Sequence, residues 1–589
     1  MSTLNLDASL QTAETPASPL TPAATKPWRA GALPALGILT GFLILGSFAF
    51  RLDLLKNREF DPDEFEHLHS AWSLSKGHVP FRDFFEHHTP GLYFLLAPTF
   101  SFFDVDHSPE DAVAFLFFAR RVMWIFAGAI LGLTFYLGHL CWKDIRVACI
   151  GTSLIATDIV FLGKTLEIRP DVLSTAFWLG SLALSARAMN VGESNKKVRW
   201  LFFASGLFLG LALVCSQKLL MAGPGMVVSV AWYCLDRRMP SAFGWRFRNV
   251  IGQAFGTLVP VLVVLGYFAW HGSLYAFIQC NFLLNLGWQQ ETTVGATLHW
   301  LVVRDPFFIA LAVPGGLLGF LSLFRAQRFS AVGVLILANT LGLFLGLYLI
   351  PVPYSQYCLL FLPMVALYSA AFIVKMAEFL QSLLRETSNP VKEFPAEALF
   401  FIGAYCLMLG CCVYIAEPKA IGLWFFPLIG ALTILLATLF LRARLTNLAL
   451  ATFLIPGSVH SLQQMIWMRG LSNEEMVSNL RYVMERTSPD DVVMDGWSGL
   501  GVFRPHAWYY AFTHGGVRST LDKERLQRFE NDLQNGIITP KLVVLDKHLV
   551  ELAPGITTYV RSHYKRSEIA DVWERADGSE SLKVPVPPS

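Results

Sequence analysis

The sequence predicts a polytopic α-helical membrane protein with a small α/β domain near its C-terminal end. Of the 589 residues, 54% are hydrophobic and only 15% are charged, whereas soluble domains carry about 25% charged residues. Apolar runs long enough to cross the hydrocarbon core of a bilayer recur along most of the chain. A net charge of +2 is too small for a protein that neutralises nucleic-acid phosphates. This composition excludes a soluble enzyme and a nucleic-acid binder.

The apolar runs predict about thirteen transmembrane helices of roughly 20 residues each within residues 31–468. Residues 1–30 precede the first run, are rich in Ser, Thr, Ala and Pro, and are predicted to be a disordered tail. The first span is predicted at 31–50, where the run is too long for the hydrophobic region of a signal peptide. The further spans are predicted near 122–142, 147–163, 172–189, 200–216, 219–235, 250–271, 306–324, 330–350, 357–375, 398–416, 423–441 and 446–468.

Basic residues in alternate loops predict the orientation of these helices. Lysines and arginines cluster in the tail and in every second loop, and loops of this kind lie on the cytoplasmic side of a membrane. The N-terminus is therefore predicted to be cytoplasmic. Because the predicted number of helices is odd, the C-terminus is predicted to be external, together with the loops at 51–121, 164–171, 217–218, 272–305, 351–356 and 417–422.

Residues 469–589 are the one sizeable polar region and are predicted to form an external α/β domain. Residues 491–494 and 541–545 have the short apolar pattern of buried strands. A polar helix is predicted between them near 522–535, after a first helix that ends near Arg486.

The loop at 51–121 holds the densest group of carboxylates and imidazoles. Pro62 suits the first turn of a helix, on which Asp63 and His67, four residues apart, share a face. Such a group could deprotonate a hydroxyl, bind a divalent metal or simply face water. A second group, Glu86-His87-His88, stands just before the next apolar run and favours a site over a solvated loop.

Metal binding is one of the interpretations that these residues leave open. Glu64 and His67 have the three-residue spacing seen in carboxylate–histidine metal sites. Glu86, His87 and His88 could supply further ligands of the types that zinc prefers. His67 and His88 are the candidate metal ligands.

Two further charged motifs stand at predicted external membrane boundaries. Glu167, Arg169 and Asp171 lie in the short loop of a helical hairpin, where charges are costly unless they pair or face a cavity. They form either the wall of a site or a simple pair of Arg169 with Asp171 at the bilayer surface. Lys218 lies in the next external turn, and both it and Arg121 could bind either a substrate phosphate or an anionic lipid headgroup.

Taken in order, these motifs resemble those of the GT-C glycosyltransferases, in particular the bacterial aminoarabinose-type transferases and the protein O-mannosyltransferases. The resemblance covers most of residues 31–375. It is carried by Asp63-Glu64, Gly77-x-x-Pro80-x-x-Asp83, Phe85-Glu86-x-x-x-Pro90, Glu167-x-Arg169-Pro170-Asp171, Gln217-Lys218 and Pro353-Tyr354-Ser355-Gln356-Tyr357. It implies a GT-C fold with a cavity at the external membrane face, covered by the C-terminal domain.

The resemblance implies an integral-membrane transferase of a bacterial inner membrane. Such an enzyme takes a sugar from a polyprenyl-phosphate donor to a hydroxyl on a lipid, polysaccharide or protein, with inversion at the anomeric carbon. Its partners would be membrane lipid, the polyprenyl-phosphate-linked sugar and the acceptor. No cofactor beyond this donor substrate is implied, and a divalent metal stays open.

The resemblance also implies roles for individual residues. Asp63 would be the general base that deprotonates the acceptor hydroxyl, while Glu64 and Glu86 would orient the acceptor or the sugar. Lys218, with Arg169 or Arg121, would hold the leaving phosphate. The other substrate-binding residues would be Glu167, Asp171, Tyr357 and His87. His87 stands where the aminoarabinose-type transferases commonly carry a lysine, and a neutral imidazole binds phosphate less well.

Two other classes of function compete with this prediction. A transporter or flippase of lipid-linked saccharides would share the hydrophobicity, but it is expected to place polar residues near mid-membrane and to contain discontinuous helices. In this sequence the charges cluster in external loops and at the ends of spans. A non-catalytic membrane scaffold leaves the two carboxylate groups unexplained.

Overall fold

The computed structural model describes residues 32–191, 196–236, 241–325, 330–385, 405 and 445–576. The tail predicted at 1–30 lies outside the described residues, and so do the spans predicted at 398–416 and 423–441, apart from Tyr405. Within the described ranges the chain is largely helical, with a small sheet near its C-terminal end.

The helices are α1 (Ala32–Asn57), α2 (Pro62–Ser75), α3 (Gly91–Leu96), α4 (Pro109–Trp142), α5 (Ile145–Thr157), α6 (Ile159–Lys164), α7 (Pro170–Val191), α8 (Lys196–Cys215), α9 (Gly223–Leu235), α10 (Phe243–Trp270), α11 (Leu274–Ile278), α12 (Leu284–Leu286), α13 (Val294–Arg304), α14 (Pro306–Arg325), α15 (Ala331–Gly346), α16 (Leu362–Arg385), α17 (Leu445–Arg469), α18 (Glu474–Arg486), α19 (Gly515–Thr520), α20 (Lys523–Gln534), α21 (Lys547–Leu552) and α22 (Pro554–His563). Short 3₁₀ turns lie at Ala97–Phe102, Gln217–Ala222, Leu347–Leu349 and Ser355–Leu360, and a π-helical turn lies at Gln279–Leu283. The strands are β1 (Val493–Asp495), β2 (Leu542–Val544), β3 (Tyr564–Arg566) and β4 (Val572–Arg575).

Seven helices of the described part are long and apolar enough to cross a membrane, so the chain is a multi-pass membrane protein. They are Leu36–Asn57, Pro109–Trp142, Pro170–Val191, Lys196–Cys215, Gln217–Leu235, Phe243–Trp270 and Ala331–Leu349. Val294–Arg304 and Pro306–Ser322 would together make an eighth span, bent by 116°. The prediction of about thirteen helices is therefore not confirmed within the ranges that the structure describes.

The span predicted at 147–163 is broken in the structure. α5 and α6 meet at Asp158, whose backbone is extended and whose side chain accepts a hydrogen bond from the Phe161 backbone N at 2.8 Å. A side-chain bond of this kind starts a new helix. α5 is only 13 residues long, too short to cross the hydrocarbon core by itself. The sequence does not reveal the break, because the residues on both sides are apolar.

Small residues allow the helices to pack closely into a bundle. α8 packs between α7 and α10. At Gly206 of α8, a Cβ atom would lie 2.0 Å from the Gln253 backbone O of α10, so only glycine fits this crossing. α3, in the connection between α1 and α4, contacts both α7 and α8. The bundle therefore holds this connection against the ends of two membrane helices.

The connection between α1 and α4 covers residues 58–108, since both helices extend into the predicted loop at 51–121. α2 begins at Pro62 and ends at Ser75, close to the predicted helix from Pro62 to about Lys76. The residues of α2 from Glu64 to Ser73 are buried. A solvated loop would leave its carboxylates and imidazoles exposed, so this connection is part of the packed interior.

The C-terminal segment contains a four-stranded sheet with helices packed around it. The strand order is β1-β2-β4-β3; β1 and β2 are parallel, and the other neighbours are antiparallel. β1 and β2 overlap the strands predicted at 491–494 and 541–545, and α20 overlaps the helix predicted at 522–535. Both overlapping strands are fully buried, which explains their continuous apolar sequence.

Residues of this segment pack directly on the connection between α1 and α4. The Phe85 backbone N donates a hydrogen bond to the Tyr509 backbone O at 2.8 Å, and the Tyr509 hydroxyl donates to the Phe81 backbone O at 2.7 Å. His69 Nδ1 lies 3.0 Å from the Val502 backbone O. These contacts bring side chains of the C-terminal segment beside the carboxylates of α2.

Candidate functional site

The first turn of α2 is fixed by a reciprocal cap. The Asp61 side chain accepts a hydrogen bond from the Asp63 backbone N at 3.1 Å, and the Asp61 backbone N donates to Glu64 Oε1 at 3.0 Å. Pro62 at the first helical position adds a backbone already suited to a helix. The acidic side chains of this turn therefore have defined positions rather than those of a mobile loop.

Glu64 joins three parts of the fold. Arg120 of α4 donates to both of its carboxylate oxygens, at 2.6 Å from Nη2 and 2.9 Å from Nε. Both side chains are fully buried. The Ile168 backbone N, just before α7, also donates to Glu64 at 3.1 Å. The predicted role of Glu64, orienting a substrate hydroxyl, does not fit this position.

Arg121 lies apart from the other predicted phosphate ligands. It is exposed on α4, whereas its neighbour Arg120 is fully buried. Adjacent residues of a helix point about 100° apart, so only one member of this pair can enter the interior. The sequence shows two arginines, and the structure shows that Arg120 is the one that turns inward.

Arg169 is the centre of a buried charge network. Its Nη1 lies 2.7 Å from Asp63 Oδ2, and its Nη2 lies 3.0 Å from Asp61 Oδ1. Its Nε donates to Glu167. The planar guanidinium thus holds three carboxylates in fixed directions.

Glu167 lies behind Arg169 and anchors it. Glu167 is fully buried and also pairs with Lys164 at 2.9 Å and with Arg58 at 2.7 Å. Burial alone would raise the pKa of Glu167, but Lys164, Arg169 and Arg58 outweigh it and hold the pKa well below its usual value. Glu167 is therefore ionised, and it fixes Arg169 from the side away from the cavity.

The surroundings of Asp63 and Glu66, which lie one turn apart on α2, shift the pKa values of their carboxyl groups in opposite directions. Burial favours the neutral form of Asp63, but attraction first to Arg169 and then to nearby imidazoles outweighs it and lowers the pKa of Asp63. Burial, followed by repulsion from Glu86 and Asp63, raises the pKa of Glu66 well above its usual value. Asp63 is thus a carboxylate at neutral pH, whereas Glu66 retains its proton to a higher pH.

Lys218 stands in the 3₁₀ turn Gln217–Ala222. Its Nζ lies 3.4 Å from Asp171 Oδ2 and 4.0 Å from the centroid of the Tyr357 ring. The Ser216 hydroxyl donates to Asp171 at 3.1 Å. A distance of 3.4 Å is long for a charge-assisted hydrogen bond. The ammonium group is therefore free to bind an anion that offers closer oxygens.

Glu86 is buried behind the cavity wall. Its Oε2 accepts a hydrogen bond from the Ser70 hydroxyl at 2.6 Å. Its Oε1 accepts from the backbone N of His87 at 2.8 Å and of His88 at 3.0 Å, and it lies 2.9 Å from His88 Nδ1. Glu86 thus orders the two imidazoles and is not placed to touch a substrate hydroxyl directly.

Four side chains form a group whose chemistry fits a divalent metal ion. One ligand atom each from Glu66, Glu86, His87 and His88 lies within 4.8 Å of the others. Burial lowers the pKa of both histidines well below the usual value, and neutral imidazoles are the form that binds metals. The buried Nδ1 of His87 has no hydrogen-bond partner among the described residues. Two carboxylates and two imidazoles suit Zn²⁺.

The other predicted metal ligand, His67, lies next to this group but outside it. Its Nδ1 lies 3.2 Å from the Tyr93 hydroxyl, and its ring contacts the His88 ring at 4.7 Å between centroids. Burial lowers the pKa of His67 to about 4. His67 is therefore a neutral, packed imidazole that supports His88.

A cavity of about 470 Å³ brings many of these residues together. Its charged and polar lining consists of Asp61, Asp63, Glu66, His87, His88, Lys164, Arg169, Gln217, Lys218 and His514, with further side chains Asn281, Asn285 and Gln356. Trp288, Tyr354, Tyr357 and Trp497 add aromatic surface. Of the predicted site residues, Asp63, Arg169, Lys218, His87, His88 and Tyr357 line this cavity. Glu64, Glu86, Glu167, Asp171, Arg121 and His67 do not line it.

An apolar groove adjoins this cavity. The groove has a volume of about 300 Å³, and Gln217, Leu220 and Phe282 line both spaces. Most of the remaining groove wall is aliphatic or aromatic and comes from α8, α10 and the α11 region, including Leu213 and Val261. A charged cavity thus lies beside an apolar groove among membrane helices.

The sequence-based prediction misses several lining residues. Asp61 and Glu66 belong to the same acidic run as Asp63, and that run is the signal that could have found them. Trp288, Trp497 and His514 come from distant parts of the chain, and no motif marks them. Only the fold places these three residues at the cavity.

Two solved proteins share this architecture. The crystal structure of ArnT from Cupriavidus metallidurans in the apo state matches with a TM-score of 0.55 and 13% identity, over 88% of this chain and 95% of that chain. The same protein bound to undecaprenyl phosphate matches with a TM-score of 0.53 and 13% identity, over 88% of this chain and 94% of that chain. The apo oligosaccharyltransferase from Archaeoglobus fulgidus matches with a TM-score of 0.50 and 11% identity, over 89% of this chain and 72% of that chain. No protein-family model and no curated protein matches the sequence.

The likeness to these structures concerns the fold, because the sequence identities are low. It extends over most of this chain and nearly all of ArnT. The resemblance predicted from the motifs is thus confirmed at this level. The chain has the fold of the GT-C glycosyltransferases.

Proposed function

We propose that the chain is an integral-membrane glycosyltransferase. It moves a sugar from a polyprenyl-phosphate donor to a hydroxyl of an acceptor lipid, polysaccharide or protein, with inversion at the anomeric carbon. The observation that carries the proposal is the meeting of Asp63, Arg169 and Lys218 around one cavity that adjoins an apolar groove. The fold supports it, since ArnT was solved with bound undecaprenyl phosphate.

The two parts of such a donor match the two adjoining spaces. The phosphate is an anion that Lys218 and Arg169 attract, and both cations line the charged cavity. The prenyl chain is a hydrocarbon, for which the apolar groove is the matching surface. Gln217 and Leu220 line both spaces, so the two spaces lie side by side, as the two parts of such a donor require.

The reaction replaces one bond at the anomeric carbon by another. The acceptor oxygen attacks this carbon from the face opposite the phosphate, and its proton passes to the Asp63 carboxylate. The bond from the carbon to the phosphate oxygen breaks, and the electron pair stays on the phosphate. Because the phosphate leaves as a stable anion, positioning and charge supply most of the acceleration, and the base adds about 10²–10⁴-fold.

Arg169 controls the strength of Asp63 as a base. In the structure the two side chains are paired at 2.7 Å, and the pairing lowers the pKa of Asp63 despite its burial. An incoming phosphate competes for Arg169 and weakens this pair. Asp63 then becomes a stronger base only when the donor is in place, which limits proton transfer to the loaded site.

The remaining predicted site residues have supporting roles. Glu64 fixes the start of α2 through Arg120, and Glu167 anchors Arg169. Asp171 pairs with Lys218 while no donor substrate is bound. Glu66, Glu86, His87 and His88 would hold a divalent ion. When bound, such an ion would add positive charge beside the substrate oxygens.

We place the cavity at the external face of a bacterial inner membrane, with the N-terminus cytoplasmic and the C-terminal segment periplasmic. The basic residues of alternate loops support this orientation. A polyprenyl-phosphate donor suits it, because a lipid-linked sugar delivers activated sugar where nucleotide sugars are absent.

Release of undecaprenyl phosphate tests the proposal. Full-length protein in lipid nanodiscs is incubated with synthetic undecaprenyl-phosphate sugars and with an extract of cell-envelope glycans and lipids as acceptor source. Mass spectrometry measures the released undecaprenyl phosphate. Asp63→Asn should lower the release rate by about 10²–10⁴-fold, with the affinity for undecaprenyl phosphate retained. Asp104→Asn is the matched control, since this carboxylate is exposed in the same connection.

The same experiment separates the transferase from a flippase. A flippase would move a fluorescent lipid-linked sugar across the bilayer without releasing undecaprenyl phosphate. In that case neither the wild-type protein nor Asp63→Asn would cleave the lipid-linked sugar. Full release by the Asp63→Asn protein would remove this residue as the base. Absence of release from every donor of the panel, with lipid movement intact, would favour the flippase.

A further inference from the structure

One side of the cavity is built from aromatic rings that the transfer chemistry above does not use. Trp288 and Trp497 flank His514, at 5.5 Å and 5.2 Å between ring centroids. The rings of Trp288 and His514 are nearly parallel, with an angle of 18° between their planes. All three residues line the cavity. We call Trp288, Trp497 and His514 the aromatic wall.

The aromatic wall is assembled from two distant segments that fit closely. Trp288 follows α12, whereas Trp497 and His514 belong to the C-terminal segment. A Cβ at Gly516 would lie 1.6 Å from Trp288 Nε1, so the indole rests directly on the backbone of the C-terminal segment. Any side chain at Gly516 would push the indole away. The position of Trp288 therefore depends on a glycine of the other segment.

The aromatic wall meets the charged groups of the cavity. The His87 ring lies 4.7 Å from the Trp288 ring and 5.6 Å from the His514 ring. Asp63 and His514 both line this cavity. The aromatic wall thus contacts His87 and shares a cavity with the residue assigned as the base.

A polar group of the aromatic wall is left without a protein partner. The Nε1–H of Trp497 is buried and has no hydrogen-bond acceptor among the residues that the structure describes. A buried donor is costly unless a ligand or water satisfies it. The His514 ring carries two nitrogens that can take part in hydrogen bonds.

We propose that the aromatic wall is a subsite for the pyranose ring of a sugar, held beside Asp63. The inference rests on the proposed function and names the contacts that position the ring. A pyranose has one face of C–H groups, which carry slight positive charge, and aromatic faces are negative. Its hydroxyls project from the rim, where Trp497 Nε1 and the His514 nitrogens can bind them. The ring could belong to the donor or to the end of an acceptor glycan.

Binding measurements with two kinds of probe test the subsite and identify its source. In the donor arm, calorimetry on the full-length protein in nanodiscs compares inorganic phosphate with the 1-phosphates of glucose, galactose, mannose, N-acetylglucosamine and arabinopyranose. In the acceptor arm, methyl glycosides of the same sugars are titrated into protein saturated with undecaprenyl phosphate. The arm in which a sugar ring adds affinity shows which substrate the aromatic wall holds.

Variants of the aromatic wall should selectively remove the affinity that the sugar ring adds. Trp288→Ala and Trp497→Ala should each weaken sugar binding by about 2–12-fold, the effect of one aromatic contact, with the affinity for inorganic phosphate unchanged. Trp270→Ala is the matched control, since this indole is 88% exposed, and it should change neither affinity. Unchanged phosphate binding also shows that the variants keep the fold of the cavity.

The outcomes separate this inference from the proposed function. The subsite does not exist if the sugar ring adds no affinity in either arm with the wild-type protein. It also does not exist if both alanine variants keep the affinity that the sugar ring adds. If the alanine variants lose phosphate binding, Trp497→Phe decides instead: it keeps one aromatic ring and removes the N–H with part of the indole, and an unchanged sugar affinity would overturn the proposal. Wild-type protein that binds sugar but neither inorganic phosphate nor undecaprenyl phosphate would contradict the proposed donor and leave the subsite standing.

Discussion

Asp63 Oδ2 lies 2.7 Å from Arg169 Nη1 at the wall of the charged cavity. This pair joins the first turn of α2 to the residue that precedes α7, two elements that are far apart in the sequence. It also connects the two halves of the proposed chemistry, because Asp63 would take a proton and Arg169 would meet a phosphate. The predictions below test this arrangement and the packing around it.

Arg169→Gln should move the acidic limb of the pH–rate profile to higher pH. Arg169 is the largest attraction that lowers the pKa of Asp63, and without it burial raises that pKa. Asp63 must be ionised to accept a proton, so activity is lost as the pH falls through its pKa, and the loss then begins at a higher pH. The measurement is kcat/KM against pH.

Arg82→Gln is the control for this shift. Arg82 also pairs with an aspartate, Asp83, at 2.7 Å, but its side chain is exposed. Its removal should leave the acidic limb in place. An acidic limb that stays unchanged in Arg169→Gln would show that Asp63 is not the group that titrates.

Glu64→Gln should lower the free energy of unfolding by about 3–5 kcal/mol, the usual loss when one partner of a buried ion pair is removed. The change leaves the Arg120 guanidinium buried without a counter-charge, in a position where both side chains are inaccessible. Chemical unfolding in detergent measures the loss. Arg121→Gln, one residue along α4 and exposed, should change the free energy by less than about 0.5 kcal/mol. Equal effects of the two variants would contradict the assignment of Arg120 as the structural arginine.

Lys218→Met should weaken the binding of undecaprenyl phosphate by about 10–150-fold, the range for a lost hydrogen bond to a charged group. The side chain is 13% exposed and only loosely paired with Asp171, so its charge is available to a phosphate. Calorimetry in nanodiscs measures the affinity. Lys76→Met is the control, because Lys76 is more exposed and pairs with Asp106. Unchanged affinity in Lys218→Met would place the phosphate elsewhere.

His88→Ala should abolish the binding of one Zn²⁺ per chain, since it removes a ligand of the four-residue group. The metal content of protein dialysed against zinc is measured by mass spectrometry. His78→Ala is the control, because His78 is exposed in the same connection and should leave the metal content unaltered. Wild-type protein that retains no zinc, or equal loss in both variants, would show that the group does not bind this ion.

The sequence predicts the membrane character and the position of many helices well, because lipid requires long apolar runs whatever the tertiary structure. It predicts the broken span at 147–163 poorly. The helix stops there because the Asp158 side chain caps the following turn, and a single aspartate inside an apolar run does not reveal whether it caps a helix or faces a cavity. The number of helices depends on such breaks.

The site is predicted only as far as local sequence controls it. The run that begins at Asp61 marks the acidic helix, because proline and a capping aspartate act on the adjacent turn. The choice between Arg120 and Arg121 depends on the rotation of α4 against the bundle, which no local pattern reports. Trp497 and His514 reach the cavity through packing of the C-terminal segment on Phe85. Contacts between distant segments of this kind leave no spacing rule in the sequence.

The hydrogen bonds between Tyr509 and the connection of α1 to α4 tie together two segments that both line the charged cavity. Asp63 belongs to the connection, whereas Trp497 and His514 belong to the C-terminal segment. A chain cut after α17 would therefore keep Asp63 and lose part of the wall of the cavity in which Asp63 stands.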